Sequence, residues 1–465
     1  MKRFVNRSEE LSFLNEQYTS TSAALVVLYG RRRLGKTSLI QEFAKDKPFL
    51  YFLATEEDGQ SNMRMLKNRI AEYVGDELLA QASIDNWDIL FQTLARHISD
   101  QRLVLALDEF QYLGKSNPSF PSVFQRIWEM HLQDKNIMVI LCGSLIHMME
   151  SQALNYSSPL YGRRTGQIKL RQIEFQHYSS FFEELGYQEL IEYYAVTGGV
   201  PKYIEVFDGK ADIFSEIEKH VLNKQSLLFE EPVFLLQNEV KEIGSYFSII
   251  RSIAAGNCRL GAICAEIGIK QTNLPKYLKT LIDLDIIERE VPVTESNPEK
   301  SKMGQYRIKD NFQSFWFRFV YPEKARLELS DIAPVMQKIR TNFVDNHVAH
   351  VYESVCMSEM WQLAHQGKIS FNKLGRWWNN KEEIDIVAID SSTDTIIFAE
   401  CKYTNKPMDI DVFKTLLRKK EQLPWKKDSR TERFVLFSIS GFSEHLKEYA
   451  ADRDDLILIR NRKDT

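Results

Sequence analysis

The sequence predicts an α/β protein: a parallel sheet with helices on both faces, a helical region closed by a hairpin, then a second, independent α/β domain. Three observations predict it. Over the first 200 residues, short apolar runs of strand length alternate with helix-periodic segments, the rhythm of a covered parallel sheet. From 206 to 290 only the helical period persists. The final 120 residues return to apolar runs interrupted by a helix. The boundaries fall at 1–205, 206–322 and 323–465, in keeping with about 150 residues per domain.

The 465 residues are 44% hydrophobic and 27% charged, ordinary values for a globular chain. Sixty Lys and Arg against 64 Asp and Glu give a net charge of -4. That excludes a generic polybasic nucleic-acid binder and leaves room for a local basic groove. Five cysteines, an odd number with no CxxC pair, point to a reducing compartment and away from a disulfide framework or structural zinc. The N-terminus lacks an apolar stretch long enough for a signal peptide, and no run of about 18 apolar residues occurs. A cytoplasmic location with no membrane association is expected.

In order, ALVVLY (24–29) reads as a buried strand ended by Gly30, and TSLIQEFAK (37–45) as the helix after it. FLYFLA (49–54), LVLALD (103–108) and IMVILCG (137–143) are further buried strands. Phe247, Ile250, Ile253 and Ala254 share one helical face, and LGAICAEIGI and TNLPKYLKTLIDLDIIERE follow as two more helices. VPVTESNPEKSKMGQYRI (291–308) then reads as two short strands around a polar loop, completing the order of a winged helix. Residues 323–340 read as a crossover between domains, followed by a helix near 342–363. EIDIVAID (383–390), TIIFAECKY (395–403), RFVLFSIS (433–440) and LILIR (456–460) are strand-like, with a helix at 410–422.

Residues Gly30, Arg31, Arg32, Arg33, Leu34, Gly35, Lys36 and Thr37, with Ser38 next, fit GxxxxGK[ST] between a strand and a helix. Glycines let backbone N–H groups turn inward, and the helix N-terminus adds positive potential. The motif predicts ATP binding on a P-loop NTPase sheet, with Lys36 on the β/γ-phosphates and Thr37 on Mg²⁺. The three arginines also fit pairing with acidic groups outside the site. Asp108 and Glu109 end the strand LVLALD, where ligands gather in open α/β sheets. Asp108 is expected to hold Mg²⁺ through water and Glu109 to activate the attacking water. Ser144, ending the next strand, is placed to sense the γ-phosphate or simply to begin a turn. Arg163 and Arg164 are candidates for the developing charge, in cis or from a neighbouring subunit, which admits a homo-oligomer.

FVNRSEELSFL, YGRRRLGKTSLI, LALDEFQYL, LCGS, SPLYGRRTGQIKL and VTGGVPKYI (196–204) together resemble the archaeal-type ATPase family, a branch of the AAA+/STAND P-loop superclass. The resemblance covers roughly residues 1–210. It implies that Val5, Asn6 and Arg7 lie near the adenine, with Asn6 where the family has glycine. It implies that Gly198, Gly199, Val200 and Pro201 begin a helical lid over the nucleotide. NFQSFWFRFVYP (311–322) resembles the domain commonly attached to these ATPases, which carries a winged helix and a region similar to PD-(D/E)XK, restriction-endonuclease-like nucleases.

In that last domain Glu400 and Lys402 lie two apart on one strand and share a face, with Cys401 turned inward. Asp385 lies on the preceding strand, a candidate hairpin partner. The two carboxylates would bind a second divalent ion, Mg²⁺ or Mn²⁺, and Lys402 would meet the charge of the phosphoryl transition state. The nuclease resemblance makes Glu353 a candidate further metal ligand; it falls opposite the apolar stripe Val344, Val348, Val351 and Val355, which predicts a solvated side chain unless the sheet approaches from that side. His347 and His350 read as helix surface or interface.

DNA is the expected macromolecular partner. Lys270, Gln271, Thr272, Asn273, Lys276 and Lys279 surround the third helix of the winged-helix region, which would enter the major groove. Arg418, Lys419, Lys420, Lys426 and Lys427 would either form a solvated face or flank the cleft and grip phosphate. Three classes follow: an ATP-coupled DNA-processing enzyme, an ATPase scaffold whose nuclease fold is inactive and binds DNA or protein, and a signalling ATPase whose nucleotide state controls oligomerisation.

Overall fold

The apolar runs of the N-terminal region form strands β1 (Ala24–Tyr29), β2 (Phe49–Leu53), β3 (Leu103–Asp108) and β4 (Ile137–Gly143). Every residue of β1, β3 and β4 is buried, as expected of strands covered on both faces. A fifth strand, β5 (Gly166–Lys169), pairs with β1 and was not evident in the sequence pattern. The sheet runs β2-β3-β4-β1-β5, and every pairing is parallel. Strand β4 therefore lies between β1 and β3. The loop after β1, Asp108 at the end of β3 with Glu109 after it, and Ser144 after β4 emerge side by side at the carboxyl edge.

The computed structural model describes residues 4–98 and 100–460. It divides into two compact units. The first holds the chain through Ile173 together with Val200–Lys202 and Leu235–Lys241; the second holds Glu174–Gly199, Tyr203–Phe234 and the chain from Glu242 onward.

In the second unit, helices Ile243–Ala254, Leu260–Ile267 and Leu274–Asp283 precede an antiparallel pair, β6 (Ile287–Glu290) and β7 (Gln305–Ile308). The hairpin starts earlier than the expected 291. IIERE continues the helical pattern in sequence, but Asp285 adopts φ 60, which a right-handed helix does not admit. The expected crossover at 323–340 consists of helices Lys324–Glu328 and Ile332–Phe343, with left-handed Ser330 between them. A π-helical turn, Val344–Val348, continues into helix Ala349–His365, so the helix expected at 342–363 is the second half of a longer run.

The last sheet is mixed, in the order β12-β11-β10-β9-β8. Its strands are β8 (Lys373–Trp378), β9 (Glu383–Asp390), β10 (Thr395–Lys402), β11 (Thr431–Ser438) and β12 (Leu456–Arg460). β8 and β9 run antiparallel to their neighbours and β10, β11 and β12 run parallel. Helix Ile410–Lys420 covers one face through Ile410, Phe413 and Leu416. Two bonds join the loop after β6 to β8: Val293 N donates to Arg376 O at 2.9 Å and Trp378 Nε1 to Met303 O at 3.1 Å. All five cysteines are free thiols. Among the described residues, no helix is long and apolar enough to cross a membrane.

Candidate functional site

The loop after β1 is shaped by its glycines. At Gly30, with φ 148, a Cβ would stand 2.5 Å from Leu170 O, so only glycine fits. Gly35, at φ 88, turns the chain into helix Lys36–Ala44, and Arg33 is also left-handed at φ 69. Leu34 is buried and anchors the loop. The Lys36 ammonium folds over its own loop, donating to Gly30 O at 2.7 Å and Arg31 O at 2.9 Å. Burial pushes the Lys36 pKa below its ordinary value. The N-terminal segment meets this loop through buried Arg7, which donates to Arg171 O at 2.7 Å and Leu34 O at 3.4 Å and pairs with Glu10. Asn6 and Arg7 both have positive φ, and Asn6 holds the left-handed place without a glycine.

The strand ends close the site. Thr37 Oγ1 donates to Asp108 Oδ2 at 2.9 Å, and Tyr51 Oη donates to the same oxygen at 2.8 Å. Glu109 has φ 52; its Oε2 accepts from Ser144 Oγ at 2.7 Å and from Gln111. Arg32 reaches Ser144 Oγ at 3.4 Å and Tyr112 Oη at 2.9 Å. Ser144 thus links the loop arginine to the candidate base. Glu239, in the segment that returns to this unit, accepts a hydrogen bond from the Ile146 amide; burial raises its pKa to about 7 despite nearby Arg32, Arg31 and Lys36.

In the last sheet, the β9–β10 register pairs Ile386 with Ala399, and one residue further it sets Asp385 opposite Glu400. Asp385 Oδ2 accepts from Cys401 N at 2.9 Å. Glu400 is buried; its Oε1 lies 3.0 Å from Lys402 Nζ. Burial first, then Glu400 and Glu353, push the Asp385 pKa upward. Burial opposes the Lys402 ammonium, but Glu400 and Asp385 outweigh it and hold its pKa above the ordinary value. Glu353 is not solvated as its helical position suggested. It is ion-paired to Arg376, a buried side chain whose Nε is also 3.6 Å from Glu290. The helix is packed on two sides, so the face opposite the valine stripe meets β8. Of the two readings of His347, surface or interface, the structure takes the second: it is buried, 2.7 Å from Ala195 O and ringed by Phe315, Phe319 and Phe343.

Residues 4–207 match a family model described as an ATPase domain predominantly from Archaea, and 316–421 match one described as archaeal and bacterial proteins of unknown function. An uncharacterized protein of Methanocaldococcus jannaschii is 35% identical over 422 residues, 90% of this chain and 91% of that protein. The chain belongs to this archaeal ATPase family. An uncharacterized ATP-binding protein of the same organism is 54% identical over 44 residues, 10% of this chain and 75% of its own length. Two solved structures are similar to this chain: the Walker-type ATPase of Pyrococcus abyssi, at 21% identity and TM-score 0.49, covering 68% of this chain and 96% of that one; and the Aeropyrum pernix ORC1 protein in complex with DNA, at 14% identity and TM-score 0.35, covering 70% and 95%.

Other expected residues of this archaeal-type ATPase are distributed as follows. Val5 is half-buried and adjoins Arg7; Ser38 is exposed in the first turn of helix Lys36–Ala44; Pro201 opens helix Pro201–Ile204, within a segment that groups with the first unit. Arg163 is paired with Glu129 at 2.7 Å. Arg164 donates to Ala153 O and Leu154 O and lies over the Tyr161 ring. Lys270, Gln271, Thr272, Asn273, Lys276 and Lys279 are all exposed. The C-terminal basic residues are instead engaged with acidic groups: Arg418 with Glu382, Lys419 with Glu400, Lys420 with Glu432, Lys426 with Asp394 and Lys427 with Glu421. Sequence reasoning missed Tyr51, Tyr112, Arg376 and the contact of Lys419 with Glu400. Tyr51 alone left a trace, as a hydroxyl in an otherwise apolar strand. Among the described residues, no group of three or more His, Cys, Asp or Glu is arranged to hold a metal ion. Asp385 and Glu400 offer two hard oxygen donors, a set that suits Mg²⁺, which keeps several waters and takes one or two carboxylates.

Proposed function

We propose that the chain binds and hydrolyses ATP with Mg²⁺ at residues 30–37 and uses that cycle to act on DNA through a divalent-metal site at Asp385 and Glu400. The nucleotide reading rests on the 2.9 Å bond from Thr37 to Asp108. It joins the two side chains that share the magnesium ion in P-loop ATPases. Magnesium, when bound, would neutralise charge on the phosphate oxygens. Lys36 would exchange its two carbonyl acceptors for phosphate. Glu109, steadied by Ser144 and Gln111, would accept a proton from the attacking water. An arginine on the developing charge would come from Arg163, Arg164 or a neighbouring copy in a homo-oligomer.

The DNA reading is supported by Lys402 beside Glu400, by Asp385 on the paired strand, and by the exposed polar and basic residues around helix Leu274–Asp283. There the three helices and the hairpin would serve as a winged helix, and the last sheet as a PD-(D/E)XK fold. The test is cleavage of supercoiled, linear and single-stranded DNA with Mg²⁺ or Mn²⁺, with and without ATP. Cleavage is expected in the parent and lost in Asp385→Ala and Lys402→Ala. Lys36→Ala should abolish ATP hydrolysis; full turnover in that variant would sink the nucleotide site. A second reading is favoured by the pairing of Glu353 and Glu400 with cations. In it the sheet is an inactive scaffold, and DNA binding would survive Asp385→Ala with no cleavage by the parent.

A further inference from the structure

We infer that Lys419 is a resident counter-cation of Glu400, which a divalent ion must displace to enter the last sheet. The inference rests on the metal reading of Asp385 and Glu400. Lys419 lies in the last turn of helix Ile410–Lys420, and its Nζ stands 3.0 Å from Glu400 Oε1 and 3.1 Å from Oε2. It therefore spans both carboxylate oxygens, the seat a metal ion takes on a bidentate carboxylate. Lys402 touches only Oε1.

The charge balance explains why one cation must move. Two carboxylates, Asp385 and Glu400, are matched in number by two lysines, Lys402 and Lys419, while Arg376 serves Glu353 and Glu290, the latter also paired with Arg307. A divalent ion added to that balanced group would leave two uncompensated positive charges in a half-buried site, which is costly. Arg376 is held: it is 4% exposed, fixed in a strand and flanked by Glu353 and Glu290. Lys402 leaves Oε2 open and would stay beside the reacting phosphate. Lys419 alone covers both oxygens, on a flexible stem, and its release would keep it near the carbonyl end of its helix, which favours cations. While seated, it holds both Glu400 oxygens with one ammonium.

The experiment is Mn²⁺ titration of the nucleotide-free full chain, followed by the electron paramagnetic resonance signal of free Mn²⁺. Lys419→Met keeps the stem and removes the charge. It should bind Mn²⁺ at least about tenfold more tightly than the parent, since close unit charges at protein surfaces interact by a few kcal/mol. Lys419→Arg should bind like the parent, and adding Asp385→Asn should abolish the binding in each. Lys419→Gln replaces the methionine variant if that one fails to fold. Equal affinity in the parent and Lys419→Met, both dependent on Asp385, would overturn the role of Lys419 and leave the metal site standing. Weaker binding in Lys419→Met would also overturn it, making Lys419 a support for Glu400. Absence of Asp385-dependent binding in every variant would overturn both readings.

Discussion

Arg376→Met tests the ion pair on which the last sheet depends. The guanidinium is 4% exposed, its strand neighbours Trp377 and Trp378 are each 3% exposed, and the Glu353 side chain keeps 16% exposure. Removing the cation strands Glu353, with only His350 at 3.5 Å to oppose its charge and Asp385 nearby to repel it. Losing one partner of a buried pair costs about 3–5 kcal/mol, and the residual exposure of Glu353 places the expected cost near about 3 kcal/mol. The double variant Arg376→Met with Glu353→Gln has no stranded charge and should recover about 2 kcal/mol of that loss. Urea unfolding of the full chain, followed by tryptophan fluorescence, reads the effect because Trp377 and Trp378 flank the perturbation. A loss below about 1 kcal/mol in Arg376→Met, the range of an exposed pair, would refute the argument. So would a double variant no more stable than the single one.

Glu109→Gln should bind ATP as the parent does and hydrolyse it at least about 100-fold more slowly, as loss of a general base requires; loss of ATP affinity would make Glu109 structural. Gly30→Ala drives a Cβ to 2.5 Å from Leu170 O. It should lower the melting temperature and weaken nucleotide binding together, and unchanged values of both would show that the loop can shift. His347 is held neutral by burial, which pushes its pKa down to about 3 from an ordinary value of 6.5. Its depressed pKa contributes stability that is present above the unfolded value and lost as pH falls towards 3, by about 1.4 kcal/mol per unit. His347→Phe should therefore flatten the acid limb of the urea stability profile between pH 6.5 and 4 (roughly the window in which the unfolded imidazole is charged). Superimposable profiles would exclude His347 as an acid-sensitive group.

The candidate nucleotide site was legible because it is built from short contiguous segments and each residue has a local reason: a glycine where φ is positive, a lysine and threonine on the first helical turn, an acidic pair ending an apolar strand. Alternation made a shared face for Glu400 and Lys402 legible, with Asp385 on a candidate partner strand; the register that brings Asp385 level with Glu400 was not legible. What was not legible depended on distant partners. β5 has four residues and one buried apolar side chain, too little pattern to read without β1 beside it. β8 is broken by Gly375 and a register shift between Gly375 and Trp377, which erases its alternation. Glu353 was left between a solvated face and an approaching sheet, and His347 between surface and interface, because a helical wheel shows one apolar stripe, whereas the helix meets protein on more than one side. Lys419 read as one member of a surface run, and nothing in its neighbours announces Glu400.

The two bonds between the loop after β6 and strand β8 bear on solubility. β8 is an edge of the last sheet, and an unguarded edge offers backbone donors and acceptors to any passing chain. Here Val293 takes Arg376 O, Met303 O holds the Trp378 indole, and the irregularity at Gly375 bends the strand away from flat pairing. The hairpin loop thus guards the sheet against edge-to-edge association between molecules. Shortening it between Val293 and Met303 would leave the sheet folded but sticky, with concentration-dependent turbidity appearing well before any loss of secondary structure.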